Sequence, residues 1–228
     1  MRNYDAIIFD LGLTLIYSPR IKPIKKIFKK MGKNIDEVDI QKALAFADNH
    51  FMKNYPGELG KNPKEFYKDY LNVVYGYLRL DLSVHDFYDF LFKLHPPRKE
   101  WILYEETSEV LKKLKAMNIK LGIISNWDLT ARDILRENKI IKYFDDILIS
   151  AEEGVEKPNS KLFIKSINKL NVEPEKALYV GDNYYDDVIG ANSVGIKTLL
   201  IKRNSSTKEF GKGDFEVIGS LKEVFDFL

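Results

Sequence analysis

The chain has 228 residues, 45% hydrophobic and 31% charged, enough for one sizeable core or a core plus a small second module. Lys and Arg number 36 against 34 Asp and Glu, a formal net charge of +2; that gives no footing for nucleic-acid recognition, which needs a concentrated basic patch. Cysteine is absent, excluding disulfides, thiolate chemistry and cysteine-ligated metals, and no apolar run approaches the ~20 residues that cross a bilayer.

"YDAIIF" (Tyr4–Phe9) reads as a short buried strand by its length and branching. It follows the N-terminus almost at once, so a cytoplasmic protein without a signal peptide is expected. From Ile16 to about Pro97 the texture is helical and rich in Phe and Tyr. "PIKKIFKKM" is a short amphipathic helix with Pro23 in its first turn. Ile35–Tyr55 is a longer one with Ile40, Leu44, Ala47 and Phe51 at helical spacing. "YPGELGKNP" breaks it. "PKEFYKDYLNVVYGYL" follows, expected to bury Phe66, Tyr70, Val73, Val74 and Tyr77, and then "VHDFYDFLFKL" and "HPPR" close the block.

An alternation comes next: helix "TSEVLKKLKAM", strand "IKLGIIS", helix "LTARDILREN", a strand in "FDDILIS", helix "PNSKLFIKSINKL" opened by Pro158, strand "KALYVG", helix "YDDVIGANSVG", strand "IKTLLIK" and a last helix "LKEVFDFL". "RNSSTKEFGKGD" reads as a polar surface loop. Strands alternating with helices of 10–15 residues predict a Rossmann-like parallel sheet covered on both faces. The fold class is therefore α/β, with a core of residues 1–15 and 98–228 interrupted by an all-helical insertion over 16–97. Such an insertion after the first strand stands over the carboxyl edge of the sheet, where ligands bind in open α/β folds, and is expected to act as a lid.

Four pieces fall at strand ends: Asp10; Ser125 with Asn126; Lys157 in "GVEKPNS"; and Asp182, Asp186 and Asp187 in "VGDNYYDDVIGA". Each is ordinary alone, because acids favour turns and first helical turns. Gathered on one edge, they make a coherent set. Asp10 can serve as a nucleophile. Crowded carboxylates need neutralising, and oxygen-only ligands suit Mg²⁺. Lys157 supplies a point charge, and Ser125 and Asn126 are neutral donors for phosphoryl oxygens. Together they describe in-line phosphoryl transfer to a carboxylate.

The ordered set resembles the haloacid dehalogenase-like hydrolase superfamily, in which phosphatases predominate. "FDLGLTL" is similar to its first motif, which implies Asp10 as nucleophile. "ISN" resembles the second through Ser125, with Asn126 beside it; "EKPNSKLF" resembles the third through Lys157; "VGDNYYDDVIGA" resembles the fourth. The resemblance implies Asp182 as a Mg²⁺ ligand, Asp187 as an indirect support, and the backbone carbonyl of Gly12 as a further ligand. It also implies that the helical insertion is a cap of the first subclass that helps choose the substrate. Tyr17, Arg20 and Trp127, near motif ends, are the specificity candidates.

The sequence departs from the family pattern at Gly12, where the resemblance calls for an aspartate that protonates the leaving oxygen and later activates water. Three readings follow. The first is a Mg²⁺-dependent phosphatase of a small phosphorylated metabolite, working through an aspartyl-phosphate. The second is a 2-haloacid dehalogenase-type hydrolase, whose halide leaves without a proton. The third is a non-catalytic binding or regulatory module on the same fold. The expected partner is a small molecule rather than nucleic acid or membrane, in a monomer or homodimer.

Overall fold

The structure is a computed structural model and describes residues 4–55, 63–81, 101–203 and 213–228. The chain divides into two compact units, Met1–Tyr17 with Ile102–Leu228, and Ser18–Trp101.

The first unit is built on a six-stranded sheet. Its strands are β1 (Ala6–Phe9), β4 (Lys120–Ser125), β5 (Asp146–Ile149), β6 (Ala177–Gly181), β7 (Lys197–Ile201) and β8 (Phe215–Ile218). Their order is β5-β4-β1-β6-β7-β8, and every neighbouring pair is parallel. All four residues of β1 are buried, as expected of a central strand covered on both faces. On one face Ala6, Ile8, Ile124, Leu148 and Tyr179 pack against Leu162, Phe163, Ile167 and Leu170 of the helix Ser160–Leu170. Asn159, rather than Pro158, opens that helix: its side chain accepts from the Lys161 N–H at 3.0 Å, a standard N-cap.

Further expectations are corrected in this unit. Ile16 and Tyr17 are not the start of the helical insertion; they form β2 and pair antiparallel with β3 (Ile102–Leu103). A two-residue strand has no periodicity to display, so the boundary falls at Tyr17 and Ile102 instead of residues 15 and 98. β8 adds an edge strand at "FEVI", beyond the expected alternation. The last element, Leu221–Phe227, is 3₁₀ rather than α-helical, and a capping box between Ser220 and Glu223 sets its start.

The second unit contains α1 (Ile21–Lys30), α2 (Glu37–Asn54) and α3 (Pro63–Leu78). Ile40, Leu44, Ala47 and Phe51 of α2 are buried as the spacing predicts, together with Ile24, Ile27 and Phe28 of α1. On α3 the buried stripe is Tyr70, Leu71, Val74 and Tyr75, while Tyr77 is exposed. In "YLNVVYGYL" apolar and aromatic residues occur on every face, so periodicity alone does not select the buried one. The expected helix "VHDFYDFLFKL", the "HPPR" break, Phe66 and most of the polar "RNSSTKEFGKGD" stretch lie outside what the structure describes. No helix among the described residues is long and apolar enough to cross a membrane.

Candidate active site

The sheet register places the four pieces. The β1 ladder continues one residue past Phe9, where the Asp10 N–H donates to the Val180 carbonyl at 2.8 Å. Asp10 thereby lies beside Gly181, and Asp182 follows at the same carboxyl edge. β4 ends at Ser125 on the other side of β1. Asn126, the next residue, anchors the distant lysine: its Oδ1 accepts from the Lys157 N–H at 2.7 Å and its Nδ2 donates to the Lys157 carbonyl at 3.0 Å. Both ends of this amide are thus spent on aiming Lys157. Ser125 is buried at the end of its strand.

Lys157 is the hub. Its Nζ lies 2.7 Å from Asp10 Oδ1, 2.7 Å from Asp187 Oδ1 and 3.1 Å from the Tyr179 hydroxyl. Lys157, Asp10, Asp187 and Tyr179 are all buried. Burial disfavours the ammonium, but the charges of Asp10 and Asp187 outweigh it and hold Lys157 well above the ordinary lysine range. Burial pushes Asp10 up to about 6, with Lys157 pulling the other way. Asp182 is likewise raised, by burial and then by the charge of Asp10.

The fourth motif forms a π-helical turn, Tyr184–Val188, where a continuous α-helix is expected. Such turns are frequent at functional sites. Asn183 builds this one: its Oδ1 accepts from the N–H groups of Tyr185 and Asp186, and its own N–H donates to Asp187 Oδ2 at 2.9 Å. Its Nδ2 donates to Asp186 Oδ2 at 2.7 Å. Burial pushes Asp186 up to about 7. Gly181 is required here by close approach, since a Cβ on it would lie 2.2 Å from Asp187 Oδ2.

One carboxylate oxygen from each of Asp10, Asp182 and Asp187 lies within 4.8 Å of the others. An all-oxygen anionic set of this size fits a hard divalent cation. The hydrogen bonds sort its members. Asp187 has both oxygens engaged, by Lys157 and by the Asn183 N–H, which suits an indirect role. Asp182 takes no side-chain hydrogen bond among the described residues, while Lys202 Nζ fixes its carbonyl at 2.6 Å.

The specificity candidates separate. The indole of Trp127 lies directly against Gly12, and a Cβ on Gly12 would come within 2.9 Å of its Cζ3. Tyr17 stacks on Tyr104 with ring centroids 4.7 Å apart. Arg20 belongs to the helical unit, where it is ion-paired with Asp48 and donates to the Tyr70 hydroxyl at 3.0 Å. Sequence reading passed over Tyr179 and Asn183. An Asn immediately before a turn rich in acids is a capping signal that could have identified Asn183. Tyr179, inside an apolar strand, carries no such mark.

The sequence matches the family described as haloacid dehalogenase-like hydrolase over residues 7–201. The chain is 37% identical over 105 residues to a glyceraldehyde 3-phosphate phosphatase of Methanopyrus kandleri, a match spanning 44% of this chain and 43% of that protein. It is 28% identical over 215 residues to one of Pyrococcus furiosus, covering 89% of this chain and 82% of the relative. The chain thus spans less than half of the first relative's length and most of the second's. Among solved structures, an HAD phosphatase from Thermococcus onnurineus superposes with a TM-score of 0.61 at 24% identity, covering 99% of this chain and 97% of the other. That likeness concerns the fold.

Proposed function

The chain belongs to the haloacid dehalogenase-like hydrolase family, and we propose that it is a Mg²⁺-dependent phosphatase of a small phosphorylated metabolite, acting through an aspartyl-phosphate on Asp10. The observation that carries this reading is the Lys157 ammonium bridging Asp10 and Asp187 at 2.7 Å each, beside Asp182.

In the forward step a carboxylate oxygen of Asp10 attacks the phosphorus of the substrate. The bond from phosphorus to the leaving oxygen breaks, and its electron pair departs with that oxygen. Lys157 holds Asp10 Oδ1, which fixes the plane of the attacking carboxylate and offsets the charge of the incoming phosphoryl group. With its apo value about 6, Asp10 is mostly ionised at neutral pH. The Ser125 hydroxyl stands at the same edge as a neutral donor. Asp10, Asp182 and the Gly12 carbonyl would hold Mg²⁺, with Asp187 in support, and the ion would neutralise the carboxylates and draw charge from the phosphoryl oxygens. A water oxygen then attacks the phosphorus of the aspartyl-phosphate; the phosphorus–oxygen bond to Asp10 breaks, its electron pair returns to the carboxylate, and inorganic phosphate leaves carrying the water's protons.

The relatives named glyceraldehyde 3-phosphate phosphatase make a triose phosphate the first substrate to try. The test is a panel of glyceraldehyde 3-phosphate, acetyl phosphate, sugar phosphates and an aryl phosphate, with and without Mg²⁺. Phosphate release is expected only with Mg²⁺, and Asp10→Asn abolishes it. Halide release from 2-chloropropionate without Mg²⁺ would overturn the proposal, as would background phosphate release across the panel.

A further inference from the structure

The turn after Asp10 is held in an unfavourable backbone conformation. Leu13 has φ +57°, the left-handed region that costs a residue with a Cβ and persists only where its surroundings enforce it. Within the turn, the Leu13 N–H donates to the Ile16 carbonyl at 2.7 Å, and the N–H groups of Leu15 and Ile16 both donate to the Leu11 carbonyl. From outside, two side chains reach in: Thr107 donates from Oγ1 to the Leu15 carbonyl at 2.8 Å, and an arginine holds the carbonyl before it. Arg203, two residues past the end of β7, donates from Nη2 to the Thr14 carbonyl at 3.1 Å.

That guanidinium is itself fixed on two further sides. Its Nη1 is ion-paired with Glu106. Its plane lies over the ring of Tyr104, 3.6 Å from the centroid, and Tyr104 stacks in turn on Tyr17. Glu106 is steadied from behind by the Leu221 N–H and the Ser220 hydroxyl, each at 3.5 Å. An arginine with a planar fork can serve a carboxylate, a ring face and a carbonyl at once, and a lysine cannot.

We propose that Arg203 is a positioning residue for the nucleophile: by gripping the Thr14 carbonyl while braced on Glu106 and Tyr104, it keeps the left-handed Leu13 turn closed and so fixes the chain that leaves Asp10. This goes beyond the phosphatase reading, because the grip is a property of the turn whichever reaction Asp10 performs.

The experiment compares the full chain with Arg203→Gln, Arg203→Lys and the double variant Arg203→Gln with Leu13→Gly. It reads amide hydrogen exchange of residues 11–17 without substrate, kcat and KM on the aryl phosphate, and the melting temperature. Arg203→Gln is expected to speed exchange in the turn and to lower kcat by about ten- to a hundredfold, the range a charge-assisted hydrogen bond supports, with KM little changed. Arg203→Lys keeps a cation for Glu106 and shows the same changes to a smaller extent. In the double variant glycine adopts φ +57° without a Cβ, so part of the lost kcat returns although no contact with Arg203 is restored.

Unchanged exchange in the turn of a folded Arg203→Gln or Arg203→Lys variant overturns the proposal. So does a kcat loss that Leu13→Gly leaves untouched, since a purely structural loss would not respond to it. A wild-type chain that releases no phosphate would sink the phosphatase reading alone, and hydrogen exchange would still decide the role of Arg203.

Discussion

Replacing Lys157 by methionine keeps an unbranched side chain, one heavy atom shorter, and deletes the charge at the centre of the site. In the wild type its ammonium makes three hydrogen bonds, two of them at 2.7 Å to carboxylates, and the Lys157 and Asp187 side chains are 3% and 0% exposed. Removing one partner of a buried ion pair typically costs about 3–5 kcal/mol, because the remaining charge is left uncompensated. Here two carboxylates lose the same donor, so Lys157→Met is expected at the upper part of that range at pH 7.5 without divalent cation. The sign of its pH dependence follows from Asp10. Its folded value is already raised to about 6 by burial, and losing the lysine raises it further above the unfolded value. A carboxyl raised in the folded state destabilises most above its folded value, and the penalty fades as pH falls towards the unfolded one. One additional proton held by the variant changes the difference by about 1.4 kcal/mol per pH unit. Between pH 7.5 and 5.5 the gap should therefore narrow by roughly 1–3 kcal/mol. Urea unfolding of both proteins at the two pH values measures this. A gap that stays constant, or widens in acid, would refute the assignment of Lys157 as the counter-ion of Asp10.

Mg²⁺ should raise the melting temperature at pH 7.5, since a ligand at a hundred times its dissociation constant adds about 2.7 kcal/mol. The rise should be smaller at pH 5.5, where Asp10, raised to about 6, competes as a protonated acid; equal rises at both pH values would remove Asp10 from the proposed metal site. In the helical unit, Asp48→Ala leaves Arg20 and the buried Tyr70 hydroxyl without their shared acceptor and should cost about 1–3 kcal/mol. Thermal melts measure that loss, and an unchanged melting temperature would mean that the Arg20–Asp48–Tyr70 cluster contributes nothing to the unit.

The central part of the fold was legible because its strands are short, apolar and bounded by turn residues, and because Asp10 and Asp182 directly follow strands, Ser125 ends one and Lys157 lies in the connection after β5. A parallel sheet turns that order into proximity without any knowledge of side-chain contacts. What stayed hidden lacks a local signal. β2 and β3 contribute two residues each, and only their pairing across the chain makes them strands. The stripe Tyr70–Leu71–Val74–Tyr75 was chosen by packing from a helix that is aromatic on all sides. The roles of Asn126 and Tyr179 depend on Lys157, a partner 31 and 22 positions away, and no spacing rule reports such a contact.

Gly12 is the point where sequence and structure sharpen each other. From the sequence it is a missing side chain two residues after Asp10, the proposed nucleophile. In the structure the missing side chain has a physical counterpart: the Trp127 ring occupies the space a Cβ would need, with Cζ3 at 2.9 Å and Cη2 and Cε3 at 3.8 and 3.9 Å. The ring is held in place. The Trp127 N–H and carbonyl both bond the Ser150 hydroxyl, and its indole N–H donates to Thr130 at 3.3 Å. Adding an acid at position 12 therefore means moving an indole whose N–H is bonded to Thr130 and whose backbone is bonded to Ser150, and overpacking of this kind typically costs about 1–3 kcal/mol. Gly12 and Trp127 form one steric unit, and in the proposed phosphatase reaction a proton for the leaving oxygen would have to reach the site by a route that does not pass through residue 12.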